Sequence, residues 1–247
     1  MTTAPLGGPA VGGPAAGTDA PRGTAPRKLR VGIIISGGGS NMAALVAATK
    51  RADFPAEAVL VLSNRADAGG LAKAAAAGVP AVVISHKGFP DRERFEMALH
   101  AELVRHGVEL VCLAGFMRLL TPWFIGQWKN RMINIHPSLL PAYPGLHTHA
   151  RALRDGVKLA GCTVHFVREA MDTGPVVAQA AVPVLAGDTP DGLAARVLAA
   201  EHRLYPHALD LVASGRTRIV TRDDGGEHVE IRGEAEPPAA MIWPRTA

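Results

Sequence analysis

Short runs of Val, Ile and Leu alternate with longer amphipathic stretches along the middle of the chain. Such runs are typical of strands buried on both faces of a parallel sheet, and the stretches between them are typical of covering helices. Strands are predicted at residues 31–35, 58–62, 81–84, 110–113 and 132–135. Helices are predicted at residues 41–50, 67–78 and 91–106, and Asp67 is expected to cap the second. The alternation indicates an α/β fold, a single doubly wound, mostly parallel sheet with helices on both faces.

The second half of the chain predicts an antiparallel addition to this sheet. Two apolar runs, residues 162–167 and 176–184, flank a turn at Asp172-Thr173-Gly174. A long helix is expected to begin at Asp188-Thr189-Pro190, where a capping side chain precedes proline, and to run to about residue 213. Two more short strands are predicted near the C-terminus, at residues 217–220 and 228–231.

The two ends differ in composition from the centre. Residues 1–27 are dominated by Gly, Pro and Ala without an apolar period, so we expect a disordered extension there. Residues 28–221 are expected to form one domain, and residues 222–247 a C-terminal tail. Because the first residues contain no apolar signal-peptide region, a cytoplasmic location is expected.

Composition limits the kinds of partner. With 247 residues, of which 48% are hydrophobic, the chain can bury a sizeable core and is not disordered as a whole. A net charge of +4 with only 4% aromatic residues does not indicate a nucleic-acid-binding face. No apolar stretch approaches the roughly 18 residues of a membrane span, so no membrane partner is expected. Cys112 and Cys162 lie in apolar runs and are predicted to be reduced core residues.

The first predicted strand ends in a glycine-rich turn, Ser36-Gly37-Gly38-Gly39-Ser40-Asn41, that leads directly into a helix. Such a turn can direct backbone N–H groups and the positive end of a helix at one point, which favours a phosphate. The alternative is a tight turn without a ligand. The run lacks the Gly-Lys-Ser/Thr of nucleotide triphosphatases and the third glycine of dinucleotide-binding proteins, so a monophosphate ester is favoured.

The fifth predicted strand carries Asn134 and His136 to the end of the sheet where ligands bind. Strand alternation places both on one face. A histidine there can act as a general acid or stabilise charge, and the amide can donate to an oxyanion, although a structural histidine is the alternative. Asp172 is a candidate to orient the imidazole, or is simply a turn residue. No acid or cysteine cluster accompanies His147-Thr148-His149, so a ring that caps a helix is favoured there and no metal is expected.

Five motifs follow one another along the chain. They are Ile35-Ser36-Gly37-x-Gly39-Ser40-Asn41, Leu113-Ala114-Gly115-Phe116-Met117-Arg118, Asn134-Ile135-His136-Pro137-Ser138-Leu139-Leu140-Pro141, Tyr143-Pro144-Gly145-Leu146-His147-Thr148-His149 and Val164-His165-Phe166-Val167. Together they resemble the phosphoribosylglycinamide formyltransferase family, folate-dependent enzymes of de novo purine synthesis. The resemblance implies two small-molecule substrates, glycinamide ribonucleotide and 10-formyltetrahydrofolate, and direct formyl transfer without a metal.

The resemblance also implies roles for single residues. Asn134, His136 and Asp172 match the family's catalytic positions, where the first two would stabilise an oxyanion and Asp172 would hold the imidazole. The nucleotide-binding positions are Gly39, Ser40, Asn41, Met42, Ala43, Glu201 and His202. The folate-contacting positions are Arg92, Met117, Arg118, Leu119, Leu120, Asn134, Arg168, Glu169, Ala170, Met171 and Asp172. Gly38 departs from the family, because many relatives carry Asn there.

Related enzymes share the same Asn-His-Asp arrangement. They are methionyl-tRNA formyltransferase, formyltetrahydrofolate hydrolase and the sugar-nucleotide formyltransferases. The first carries a further basic C-terminal domain and the second an N-terminal regulatory domain, and the composition here predicts neither. A non-catalytic binding module on the same fold is the alternative from another class, which the presence of all three residues disfavours. We expect a monomer or a homodimer.

Overall fold

The structure, a computed structural model, describes residues 27–233 together with Ala235 and Trp243. Its main strands are β1 (Leu29–Ile35), β2 (Ala56–Ser63), β3 (Ala81–Val83), β4 (Leu110–Leu113), β5 (Met132–His136), β6 (Leu159–Phe166) and β7 (Val176–Pro183). They form one seven-stranded sheet in the order β3-β2-β1-β4-β5-β6-β7. Strands β1 to β5 are parallel, whereas β6 runs antiparallel to both β5 and β7. The predicted α/β fold class, with its antiparallel addition, is confirmed.

Helices cover both faces of the sheet. In the described part of the chain they are α1 (Ser40–Thr49), α2 (Gly69–Ala76), α3 (Arg92–Arg105), α4 (Pro122–Gln127), α5 (Thr148–Arg154) and α6 (Pro190–Ala213). Buried side chains of α1, α2, α5 and α6 form one apolar cluster, and those of α3 and α4 form a second. Ile33 and Ile35 of β1 belong to the first cluster and Ile34 to the second, so the clusters lie on opposite faces.

Two predicted caps are wrong. Helix α2 begins after Ala68 without a side-chain cap, because the Asp67 carboxylate is paired at 2.6 Å with Arg65 instead. The His147 ring does not cap α5 either, since His147 adopts a left-handed conformation and makes no side-chain hydrogen bond to the helix. The predicted cap of α6 is confirmed, because the Thr189 hydroxyl accepts a hydrogen bond from the Gly192 N–H.

The C-terminal part of the described chain is a β-hairpin. Strands β8 (Thr217–Thr221) and β9 (Glu227–Ile231) pair antiparallel in a sheet of their own, as the apolar pattern predicted. The expected boundary between residues 221 and 222 falls at the start of the turn between them. Residues 1–26 of the expected extension lie outside the described residues, as does most of the chain after Gly233.

Two further predictions concern the two cysteines and membrane-spanning helices. Both cysteines are free and fully buried, as predicted, and burial raises the pKa of the Cys112 and Cys162 thiols to about 12. Among the helices of the described region, none is long and apolar enough to cross a membrane.

Tyr205 connects α6 to the sheet below the candidate site. Its buried hydroxyl lies 3.0 Å from the carbonyl oxygen of Leu113 and 3.1 Å from that of Ile133. Tyr205→Phe is expected to lower the free energy of unfolding by about 1–3 kcal/mol, because buried acceptors lose their donor. Urea denaturation measures this, with Tyr143→Phe as the control that stays within about 0.5 kcal/mol of wild type. Equal effects of the two substitutions would contradict the assignment.

Candidate active site

The candidate site lies at the carboxyl ends of β1, β4 and β5. The chain order reverses between β1 and β4, and ligands of open α/β sheets bind at such a switch point. The glycine-rich turn follows β1, residues 114–120 follow β4, and His136 ends β5. The Ser36 N–H donates to the Gly115 carbonyl oxygen at 3.1 Å, so the first two segments are held side by side.

Asn134, His136 and Asp172 come together at this edge. The His136 Nδ1 lies 3.4 Å from one Asp172 carboxylate oxygen, and the other oxygen lies 3.9 Å from Nε2 of His165. The Asn134 amide nitrogen lies 3.4 Å from the same His165 Nε2. Residues 134 and 165 are direct partners in the β5–β6 ladder, so the strand register builds this contact.

His165 holds the Asn134 amide. Its Nδ1 lies 3.0 Å from the carbonyl oxygen of Phe166, so the proton of the neutral ring is on Nδ1 and Nε2 accepts. Burial lowers the pKa of His165, which keeps the ring neutral at pH 7, although the Phe166 carbonyl and Asp172 oppose this shift. One Asn134 N–H therefore points to His165, and the other stays available to a ligand.

His136 faces a hydrogen-bond acceptor on each side of its ring. Its Nε2 lies 2.9 Å from the carbonyl oxygen of Tyr143, and its Nδ1 faces Asp172. Asp172 also accepts a hydrogen bond of 2.8 Å from the Gly145 N–H. Each ring nitrogen therefore faces an oxygen acceptor, and the negative charge of Asp172 lies beside Nδ1.

Backbone strain is concentrated around this pair. Among the described non-glycine residues, four have positive φ, and three of them border the site: Tyr143 (54°), His147 (57°) and Asp172 (58°). Such conformations cost about 1 kcal/mol or more each and persist only where surrounding contacts hold them. The Gly145–Asp172 hydrogen bond joins the two strained loops, which indicates a preorganised site.

The glycine-rich turn leaves the N-terminus of α1 open. Gly39 occupies the N-cap position with φ 66° and offers no side chain, and a Cβ there would lie 2.6 Å from the Gly70 Cα. The N–H groups of Ser40 and Asn41 have no intrahelical acceptor and are free for an anion. Met42 is buried in the core, so only its N–H can contribute, and the Ala43 N–H already donates to Gly39.

Asn41 connects this turn to α6. Its amide donates to the buried Glu201 carboxylate at 2.6 Å. Burial raises the pKa of Glu201, and the bond from Asn41 partly offsets the increase. In the described region, the Asn41 Oδ1 and the His202 Nε2 are buried without a protein partner. Unpaired buried polar atoms next to an open helix end fit the hydroxyl groups of a ligand.

The raised pKa of Glu201 predicts a pH dependence of stability. Between the ordinary pKa of about 4.3 and the raised one, the folded chain binds more protons than the unfolded chain. The free energy of unfolding of the wild type, relative to that of Glu201→Gln, is therefore expected to fall as the pH rises from the ordinary pKa to the raised one. Urea unfolding of both proteins at a series of pH values measures the difference. The exposed-site variant Glu93→Gln is the matched control, and a pH-independent difference for Glu201→Gln would contradict the expectation.

The loops around His136 expose apolar side chains. Four of the eight large hydrophobic residues that are exposed in the described region lie here: Met117, Leu119, Leu146 and Met171. Leu120 is half-buried in the same loop. Among the described residues the Arg118 Nε is buried without a partner, and the Arg118 guanidinium lies 5.6 Å from the centre of the Phe95 ring. Apolar side chains that are exposed together on neighbouring loops are typical of a site for an apolar ligand.

The other residues implied by the resemblance lie in different surroundings. The Arg168 guanidinium donates to Glu227 at 2.6 Å and to Asn130 at 2.8 Å, which holds it near the amino end of β5 and away from His136. Glu169 and Ala170 are exposed in the turn before Asp172. Arg92 is exposed at the start of α3. Its positive charge and that of Arg118 both lower the pKa of the Glu96 carboxyl group.

The structure adds two residues that sequence reasoning missed. The Ser36 hydroxyl donates to Asn64 at 2.7 Å and accepts from the Met117 N–H at 3.0 Å, so it fixes one end of the 114–120 loop. The buried Glu96 accepts from the Thr121 N–H at 3.0 Å and fixes the other end. Burial raises the pKa of Glu96, whereas Thr121 and the two nearby arginines lower it. An acidic residue on the apolar face of α3 was the available signal.

A metal was not expected at His147-Thr148-His149. Within residues 27–233, no group of three or more His, Cys, Asp or Glu side chains is arranged to hold a metal ion. Burial lowers the pKa of His149, and the neighbouring His136 lowers it further. Both effects favour the neutral form of His149, and the second reflects its proximity to His136.

This fold and site define an α/β enzyme with an imidazole–carboxylate centre beside a glycine-rich turn that leaves a helix N-terminus open. Residues 29–209 match the family described as formyl transferase, and the chain belongs to that family. The predicted formyltransferase membership is confirmed.

Most of the chain is also similar to individual proteins that have been named. The chain is 43% identical over 191 residues to phosphoribosylglycinamide formyltransferase of Escherichia coli K12, covering 77% of this chain and 90% of that protein. It is 51% identical over 194 residues to the trifunctional purine biosynthetic protein adenosine-3 of Chironomus tentans, covering 78% of this chain. The chain spans only 14% of the length of that relative. The crystal structure of glycinamide ribonucleotide transformylase 1 from Symbiobacterium toebii superposes with a TM-score of 0.79 at 48% identity, covering 83% and 94% of the two chains.

Proposed function

We propose that this chain transfers the formyl group of 10-formyltetrahydrofolate to the amine of 5'-phosphoribosylglycinamide, a step of de novo purine synthesis. The products are N-formylglycinamide ribonucleotide and tetrahydrofolate. The observation that carries the proposal is the placement of the His136–Asp172 pair and Asn134 next to the open turn at Ser40 and Asn41. The open turn suits the phosphate of a phosphorylated amine. The residues around His136 suit the negative charge that develops during acyl transfer.

The glycine-rich turn and α6 would bind the nucleotide. The N–H groups of Ser40 and Asn41 are directed at one point and receive the phosphate. Asn41 and Glu201 pair at 2.6 Å beside this point, where the ribose hydroxyls have both a donor and an acceptor to meet. The bound nucleotide then presents its amine toward the carboxyl end of β5, where His136 lies.

The exposed apolar loop residues would bind the folate. Met117 and Leu119 come from one loop, Leu146 and Met171 from two others, and together they can enclose a flat ring and remove water from it. The hydrogen bonds of Ser36 and Glu96 hold the first loop at both ends, so this wall is fixed before a ligand binds. A drier site strengthens the electrostatic contacts of the reacting groups.

Asn134 and His136 would stabilise the transition state. The substrate amine attacks the formyl carbon, and the carbonyl oxygen gains negative charge. The free N–H of Asn134 and the Nε2–H of His136 donate to this oxyanion. The anion replaces the Tyr143 carbonyl as the acceptor for Nε2, since a charged acceptor forms the stronger hydrogen bond. As the carbon–nitrogen bond to folate breaks, a proton leaves the amine and reaches the folate nitrogen through His136 or an ordered water.

A spectrophotometric assay of folate product release tests the reaction. With purified protein and 10-formyltetrahydrofolate, release is expected only when glycinamide ribonucleotide is present. Ribose 5-phosphate, which has the phosphate but no amine, is the matched control and is expected to support no release. Release without any acceptor would instead identify a hydrolase, and no release under either condition would overturn the proposal.

A further inference from the structure

Lys73 of α2 reaches the glycine-rich turn. Its Nζ donates to the carbonyl oxygen of Gly38 at 2.7 Å. Long side chains on a helix point back toward its N-terminus, so Lys73 extends over the first turn of α2. Gly69 and Gly70 form that turn and have no side chains to block the path.

Close backbone packing fixes this arrangement. The Gly70 N–H donates to the Gly37 carbonyl oxygen at 3.1 Å. A Cβ on Gly70 would lie 2.4 Å from the Ile35 Cδ1 and 3.1 Å from the Gly39 Cα. The start of α2 therefore rests directly on the turn, and the root of the Lys73 side chain is held at a set distance from it.

The ammonium group of Lys73 keeps part of its hydrogen-bonding capacity for a further partner. No carboxylate in the described region pairs with it, whereas Arg65 and Asp67 nearby neutralise each other at 2.6 Å. An ammonium has three N–H donors, and the bond to Gly38 uses one of them. The first turn of α1 contains no acidic residue that would compete for the remaining two.

We propose that Lys73 binds the phosphate group of the nucleotide substrate, which rests on the function proposed above. The N–H groups of α1 give the phosphate directional hydrogen bonds but only a partial positive charge. Lys73 supplies the full positive charge that a phosphate dianion requires. It therefore selects the phosphorylated substrate over the corresponding riboside.

Steady-state kinetics of Lys73→Met test the proposal, with Lys50→Met at the far end of α1 as the matched loss of charge. Lys73→Met is expected to raise the KM for glycinamide ribonucleotide about tenfold or more, with kcat and the KM for the formyl folate within about threefold of wild type. Lys73→Arg is expected to restore part of the loss. Lys50→Met is expected to behave as wild type. An unchanged KM in Lys73→Met would overturn the role of Lys73.

A binding measurement separates this proposal from the proposed reaction. Titration calorimetry with ribose 5-phosphate and with ribose reports phosphate recognition without turnover. In the wild type the phosphate is expected to add affinity, and most of that gain is expected to disappear in Lys73→Met. If the phosphate adds affinity in the wild type and Lys73→Met loses that gain, but no formyl group is transferred, the reaction is wrong and phosphate binding by Lys73 stands. If Lys73→Met keeps the full gain, the role of Lys73 is wrong.

Discussion

His136→Ala is expected to lower the kcat of formyl transfer by about 10²–10³-fold, because the transition state loses one of its two oxyanion donors. The ring is almost fully buried between the Tyr143 carbonyl and the Asp172 carboxylate, so water cannot readily replace it with the same geometry. The KM values for both substrates are expected to change little, since the contact forms mainly as charge develops. Initial rates at saturating concentrations of both substrates measure the effect.

A second histidine provides the control for this substitution. His228 lies on β9 in the C-terminal hairpin, and His228→Ala is expected to keep the kcat of the wild type. Thermal unfolding of both variants shows whether either has lost its fold. More than about a tenth of wild-type activity in a folded His136→Ala protein would refute the proposed role.

The sheet could be predicted from the sequence because its strands are buried on both faces. Residues 110–113 were predicted as a strand and form β4 with the same bounds, since a short, uninterrupted apolar run is typical of a central parallel strand. Helix α4 was missed, because six residues are too few to show a helical period. The cap at Asp67 was wrong because a salt bridge to Arg65 competes for its carboxylate, which local pattern rules do not consider.

The site residues that lie at strand ends could be predicted from the sequence. The contacts that depend on how neighbouring strands align could not. Asn134 and His136 follow from alternation in β5 and from the position of ligand sites in open sheets. The contact of His165 with Asn134 depends on how β6 aligns with β5, and no local pattern contains that register. Likewise, the contact of Lys73 with Gly38 depends on the packing of α2 against the glycine-rich turn, which no local pattern contains. Arg168 is held by Glu227, 59 residues away in sequence, which the resemblance could not indicate.

Asp172→Asn is expected to lower kcat by about 10²-fold or more while the fold is kept. Asparagine has nearly the same shape, and its carbonyl oxygen can still accept the hydrogen bond from the Gly145 N–H that joins the two strained loops. It has no negative charge to place beside the His136 Nδ1. The substitution therefore removes the counter-charge and leaves the positioning contact in place.

Rates at saturating substrates, together with melting temperatures, separate these two contributions of Asp172. Asp223→Asn, in the turn of the C-terminal hairpin, is the matched loss of a carboxylate and is expected to match the wild type in both measurements. A large loss of kcat at an unchanged melting temperature assigns the effect to the charge beside His136. A loss that follows destabilisation would assign it to the loop, and an unchanged kcat would show that the imidazole works without its carboxylate.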